Sequence, residues 1–287
     1  MKLTKIAQEI REIIRDKQLE YNLTFDEETH TYTMKDIEGN IRSDWYSVSK
    51  VLKFFYEEFD SYSISLKKAN GNIFEQEKLL KEWGDAGTYS TQMGSRTHYI
   101  LENRALELFK LNKNVRQPIY DCNEEQILKS DSMVYSGIKY LNLMKERGAE
   151  LIDTEMVLGS PHLCYTGQPD KLWLIPNAEK TEYGVVITDW KTNKPKNFEV
   201  NRWTKSMYKP FNKYPNNALG HYYLQLPFYV KLFIKMLENT KYSNLKFYGG
   251  VVVLLKEDKT YKEYKVPKDI ITTVMNLNIQ DYLIINK

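Results

Sequence analysis

The stretch Gly184-Val-Val-Ile-Thr-Asp-Trp-Lys-Thr192 constrains this chain more than any other. Val185, Val186 and Ile187 are β-branched and apolar, which predicts a strand buried in a sheet. Side chains alternate along a strand, so Asp189 and Lys191 point to the same side at its end. A carboxylate and an ammonium there cost free energy unless they are paired or put to use. One reading is a surface salt bridge where the strand leaves the core. The other is metal-assisted hydrolysis, with Asp189 holding a divalent cation and Lys191 orienting or deprotonating a water. Asp-x-Lys is common, and on the tripeptide alone the salt bridge is the better reading.

Two more acids lie in comparable places. Residues 149–158 alternate and predict a strand with Glu155 embedded in it, followed by a turn at Gly159-Ser160-Pro161. Residues 163–175 predict the next strand, with Asp170 in its middle, and Pro169 requires an unpaired position or a bulge. Three consecutive antiparallel strands would then each carry one acid. Carboxylates brought together repel one another and need a cation. Hard oxygen ligands favour Mg²⁺ or Mn²⁺. The two cysteines, Cys122 and Cys164, can supply neither a disulfide framework nor a four-cysteine metal site.

A helix is predicted over 93–110. Gly94, His98 and Glu102 are spaced by four and share one of its faces. The glycine would let the helix approach a sheet closely, and the imidazole and carboxylate would face something polar. A plain i,i+4 pair is the alternative.

Charge points to the partner. The chain of 287 residues has a net charge of only +3. Residues 191–213, however, hold seven basic residues against Glu199 alone. They are Lys191, Lys194, Lys196, Arg202, Lys205, Lys209 and Lys213, interleaved with Trp203, Tyr208, Phe211 and Tyr214. Basic groups neutralise phosphates and aromatic rings stack on bases, as a single-strand track requires. A solvated basic loop is the alternative.

The remaining elements frame this region. Residues 3–20 predict an amphipathic helix, 22–34 and 41–46 two arms of a hairpin, and 48–55 a short helix capped by Ser47. Helical patterns follow near 60–69 and 73–83. Asn123 can cap a helix over 124–147 ended by Gly148. A helix runs from Ala218 to about Glu238, then a hairpin of 246–255 with 261–266, then a helix over 267–282. The aromatic residues of the first third read as core. His30 reads as a strand-surface residue. No stretch has the continuous apolar length of a membrane span or a signal peptide, which predicts a cytoplasmic protein.

In order, the chain thus offers a helix with Gly94, His98 and Glu102, strands with Glu155, with Gly167 and Asp170, and with Asp189, Lys191 and Thr192, and a helix with Gln225 and Tyr229. This series resembles the RecB-like branch of the PD-(D/E)XK nuclease superfamily over roughly residues 90–256. Residues 207–229 look like the phage exonucleases related to the mitochondrial genome maintenance exonuclease. The resemblance implies an α/β (α+β) fold with a restriction-endonuclease-like core, a central mixed sheet flanked by helices. Residues 91–287 would form that core, and 1–90 a mostly helical extension packed on it, covering the site and making a strand thread through. It implies Mg²⁺ or Mn²⁺ held by His98, Asp170, Asp189 and the Trp190 carbonyl, with Glu155 a further candidate and Glu102 completing the shell directly or through water. Lys191 would position the attacking water. Gln225 and Tyr229 would buttress Lys191 or contact DNA, and Thr192, Lys194, Lys196, Arg202 and Lys205 would bind DNA. The expected activity is exonucleolytic hydrolysis of single-stranded or end-bearing DNA in phage-type replication, recombination or repair, in the host cytoplasm if phage-encoded. A helicase or recombination protein is an expected partner, because the chain has no helicase motif of its own. Two other readings are a non-catalytic nucleic-acid-binding module on a nuclease fold and a dimeric structure-specific endonuclease. The four-cysteine iron–sulfur staple of some relatives is missing.

Overall fold

The segment that ends in Asp189 and Lys191 is the middle strand of a five-stranded mixed sheet. The computed structural model describes residues 3–285. Helix α1 (Leu3–Tyr21) leads into an antiparallel sheet of β1 (Thr24–Asp26), β2 (Thr31–Lys35) and β3 (Ile41–Arg42). Strand β4 (Tyr46–Ser47) runs into α2 (Val48–Leu52), where the Ser47 hydroxyl accepts the Lys50 amide at 3.3 Å. Helices α3 (Ser61–Lys68) and α4 (Ile73–Phe109) follow. Reciprocal Asn123–Gln126 bonds, both 2.9 Å, cap α5 (Glu124–Glu146). Gly148, at φ +74°, turns the chain out of that helix, a conformation glycine adopts without strain.

Five strands come next: β5 (Glu150–Thr154), β6 (Leu158–Ser160), β7 (Tyr165–Gly167), β8 (Lys171–Pro176) and β9 (Tyr183–Lys191). A long irregular segment leads to α6 (Ala218–Met236), then β10 (Lys246–Leu255), β11 (Tyr261–Lys265), α7 (Lys268–Asn276) and α8 (Gln280–Ile285). The large sheet has the order β11-β10-β9-β8-β5; β9 and β10 are parallel, and its other neighbours antiparallel. A smaller mixed sheet has the order β4-β7-β6. The molecule is therefore a mixed α/β structure, of α+β type, with helices on mixed sheets.

Alternation along the central strands divides the core in two. Leu172, Leu174, Val185, Ile187, Val252 and Leu254 face a cluster that includes Leu224 and Phe228 of α6 and Ile6, Ile10 and Ile14 of α1. Trp173, Trp190, Val253 and Leu255 face the other side, against Leu101 and Ala105 of α4 and Tyr140 and Leu141 of α5. Removing this apolar surface from water is the main favourable term holding both helical layers on the sheet.

Several expectations change. The helix patterns near 73–83 and 93–110 belong to one 37-residue helix, α4. Residue 90 lies inside it, so the division expected at 90/91 coincides with no break. Side chains from α1 and α2 share one buried cluster with the large sheet and α6. The strand expected over 149–158 is two strands in different sheets, β5 and β6, and Gly159-Ser160 belongs to β6 rather than to a turn. Glu155 is thus not within a strand; it sits just after β5 at φ +43°. The strand expected over 163–175 is likewise β7 and β8, separated at the Pro169 break. Asp170 stands in that break, not in mid-strand. The arm expected over 22–34 is itself a hairpin, β1–β2, and the last helix is divided after Asn276. His30 lies in the β1–β2 turn, exposed and stacked on Phe25.

Candidate active site

Sheet register brings the three acids to one edge. Lys171 of β8 pairs with Thr154 of β5 on one side and Thr188 of β9 on the other. One residue further on, Asp170 stands between Glu155 and Asp189. The Glu155 amide donates to the Asp170 carbonyl at 3.0 Å, and the Trp190 amide donates to Asp170 Oδ2 at 2.6 Å. Asp170 and Asp189 are only 7% and 3% exposed.

Helix α4 crosses this edge. A Cβ on Gly94 would meet Thr192 Oγ1 at 3.2 Å, so the glycine sets how near the helix comes to the end of β9. One turn on, His98 Nδ1 lies 3.6 Å from Asp170 Oδ2. One more turn on, Glu102 Oε1 accepts from Thr154 Oγ1 at 2.8 Å. Ligand atoms of His98, Glu155 and Asp170 all fall within 4.8 Å of one another. Asp189 is not in that group; its Oδ2 is paired with the Lys191 ammonium and accepts no hydrogen bond among the described residues.

Burial and like charge set the electrostatics of this cluster. Burial, then repulsion from Asp170 and Glu102, raises Glu155 well above the usual carboxylate range. Burial and Asp170 push Asp189 up to about 6 against the opposing pull of Lys191. Burial also raises Glu102. Desolvation, helped by Lys191 and Lys171, lowers His98 to about 4 and keeps its imidazole neutral. Two carboxylates and a neutral imidazole converging beside further acids suit a hard divalent cation. The donor set present therefore fits Mg²⁺ or Mn²⁺.

Lys191 is held from the α6 side by a residue that its sequence pattern assigns only to packing. The Tyr222 ring lies 4.2 Å from Lys191 Nζ, and its hydroxyl donates to Asn193 Oδ1 at 2.9 Å. Gln225 and Tyr229 do not buttress Lys191 through hydrogen bonds among the described residues. Gln225 Nε2 donates to the Tyr229 hydroxyl at 2.8 Å, and Tyr229 packs over Gly167, where a Cβ would come within 2.5 Å of its ring. Their spacing therefore serves a close contact between α6 and β7. The other residue missed is Lys171, 2% exposed, with its ammonium 4.7 Å from the Trp190 ring centroid. Its signal is its place directly after Asp170.

Two clefts meet at His98. One, of about 1350 Å³, is lined by Lys191, Thr192, Lys194, Lys196, Tyr222 and the exposed half of α4. The other, of about 560 Å³, is lined by Glu102, Lys113, Arg116, Glu155 and the β1–β2 hairpin. The basic run is not one track. Lys205 is paired with Glu57 at 2.5 Å and Lys213 with Asp269, while Arg202 stacks on Trp203 at 4.8 Å. Phe211 is core, and Tyr214 donates to Asp269 at 2.6 Å. None of Arg202, Lys205 and Lys213 lines the larger cleft. Among the described residues no helix is long and apolar enough to cross a membrane. No family model matches the chain, and no curated protein matches it.

Proposed function

We propose that this protein is a metal-dependent deoxyribonuclease of the PD-(D/E)XK type, acting as an exonuclease on single-stranded or end-bearing DNA. The observation that supports this best is the convergence of His98, Glu155 and Asp170 beside the Asp189–Lys191 pair, where two clefts meet. A structural salt bridge would account for Asp189 and Lys191, but not for three further ligating groups at the same edge.

His98, Asp170 and Glu155 would hold the cation, with Asp189 and the Trp190 carbonyl beside them. A bound Mg²⁺ or Mn²⁺ supplies charge that polarises the phosphate and makes a water more acidic. Lys191, kept in place by Asp189 and Tyr222, would orient the attacking water. Lys194 and Lys196 would neutralise phosphates of a strand lying in the larger cleft. In the reaction the water oxygen bonds to phosphorus as the ester P–O bond breaks, and a water proton passes to the leaving oxygen.

Linear and covalently closed single-stranded DNA of one sequence, incubated with Mg²⁺, test the exonuclease part. The linear form is expected to shorten while the circle stays intact. Equal loss of both would replace exonuclease by endonuclease action. Loss of neither would contradict the reading as a whole.

A further inference from the structure

We propose that α1 and the turn after α4 form a pocket for a backbone phosphate of single-stranded DNA, beyond the smaller cleft. The inference rests on the nuclease reading above and names where the strand continues past the site.

Helix α1 presents two faces. Ile6, Ile10 and Ile14 are buried in the core. Arg11 and Arg15, one turn apart on another face, line a polar pocket of about 200 Å³ together with Glu12, Lys110, Lys113 and Asp153. A water takes up about 30 Å³ of the liquid, so the pocket has room for a phosphate group and a few waters. Four basic residues face two acids there, and 4 − 2 leaves +2. Both acids have other partners. Asp153 Oδ1 accepts the Thr154 amide at 2.8 Å and lies 3.3 Å from Lys113 Nζ. Glu12 Oε1 accepts from Gln8 Nε2 at 2.9 Å.

The cations are less well matched. Half-buried Arg11 donates through Nη1 to the Leu151 and Ile152 carbonyls at 3.1 and 2.8 Å. Its remaining N–H groups have no partner among the described residues. The exposed side chains of Arg15 and Lys110 make no ion pair or hydrogen bond among the described residues. Like charges one turn apart on a helix repel, and a bound anion would offset that cost.

Position ties the pocket to the site. Lys113 lines both this pocket and the smaller cleft. Its ammonium donates to the Thr154 carbonyl and, at 3.4 Å, to the Glu155 carbonyl. One side chain thus separates the pocket from an acid of the candidate site. Lys194 and Lys196 line the larger cleft, on the other side of His98. A strand crossing His98 would meet cations at both ends, a continuation that Arg202, Lys205 and Lys213 do not supply.

Fluorescence anisotropy of a labelled single-stranded oligonucleotide, in EDTA over a range of NaCl concentrations, tests this on the full chain, beside hydrolysis in Mg²⁺. Each phosphate contact on a single strand contributes about 0.7 to the slope of log affinity against log salt. The double variant Arg15→Gln, Lys110→Gln is expected to show a slope shallower by about 1.4 and a KM raised roughly 5-fold or more, with kcat unchanged. Arg15→Lys with Lys110→Arg keeps both charges and is expected to behave as the wild type. Lys265→Gln with Lys268→Gln removes the same charge at the β11 edge of the large sheet, opposite β5, and is expected to change little. A wild-type slope and KM in the double variant, shown folded by its thermal melt, would overturn the proposal. So would an equal loss in the β11 pair. If the double variant does not fold, the two single variants decide, each expected to lose about 0.7. Absence of any DNA binding by the wild type would overturn the nuclease reading as well. Binding with the expected slopes but no hydrolysis would overturn only the nuclease reading and leave the pocket standing.

Discussion

The Trp190 amide donates to Asp170 Oδ2 at 2.6 Å, so the residue between Asp189 and Lys191 aims the acid that stands just before β8. That bond fixes one carboxylate oxygen of Asp170 and ties the two halves of the candidate site together. Asp170→Asn keeps an acceptor for this amide but loses the charge. The variant is expected to melt near the wild-type temperature, because relieved repulsion with Glu155 and Asp189 is offset by lost attraction for Lys171 and Lys191. Mn²⁺ affinity and DNA hydrolysis should each fall by roughly 100-fold or more, since losing a ligand exceeds the usual cost of losing a residue behind one. Calorimetry and a thermal melt check both halves.

Gly94 sets the distance between α4 and β9. Replacing it by Ala adds a Cβ 3.2 Å from Thr192 Oγ1, so one of the two elements must give by a few tenths of an ångström. Alanine is favoured over glycine inside a helix by about 0.5–1 kcal/mol. Thermal stability is therefore expected to hold or rise while hydrolysis slows by roughly 3- to 10-fold, because His98 is displaced. A loss of stability equal to the loss of activity would contradict this.

Tyr222 is the side chain that covers Lys191. Tyr222→Phe keeps the ring 4.2 Å from the ammonium and loses only the Asn193 bond. Tyr222→Ala removes both. A cation–π contact in such a site contributes about 0.5–2 kcal/mol, so the alanine variant should lose roughly 10-fold in kcat and the phenylalanine variant much less. Equal losses would mean that the hydroxyl, not the ring face, matters.

Acid sensitivity has a defined source in α6, at the residue before Tyr222. His221 stacks on Tyr56 with centroids 3.7 Å apart, and its Nε2 donates to Asn216 Oδ1 at 2.7 Å. Burial lowers its value to about 4. The unfolded chain takes up a proton near 6.5, the folded protein only near 4. Stability from the neutral ring is thus fully present above pH 6.5 and lost as pH falls towards 4. His221→Gln removes this part. Its melting temperature should fall less steeply than that of the wild type between pH 7 and pH 4.5.

The sequence carries the elements that depend on local rules. Ser47 and Asn123 are caps because their side chains reach nearby amides, and β9 is buried because Val185–Ile187 suit nothing else so well. The acids at 155, 170 and 189 are visible as acids in apolar surroundings. What stays hidden depends on register and on contacts far apart in sequence. Glu155 and Asp170 read as strand residues because the breaks after β5 and at Pro169 interrupt runs that continue in apolar pattern. Tyr222 reads as packing because nothing local shows that α6 passes over Lys191. Lys171 looks like an ordinary charge following Asp170, and only the pairing with Thr154 and Thr188 buries it. The basic run looks continuous because its partners, Glu57 and Asp269, are distant in the chain.

The central claim is tested most directly by digesting end-labelled linear DNA, single- and double-stranded, over time with Mg²⁺, Mn²⁺ or EDTA, beside Lys191→Ala. Metal-dependent shortening from one end is expected with the wild type, and none with EDTA or with the variant. DNA that stays full length with wild-type protein and either metal would contradict it, as would equal digestion by Lys191→Ala.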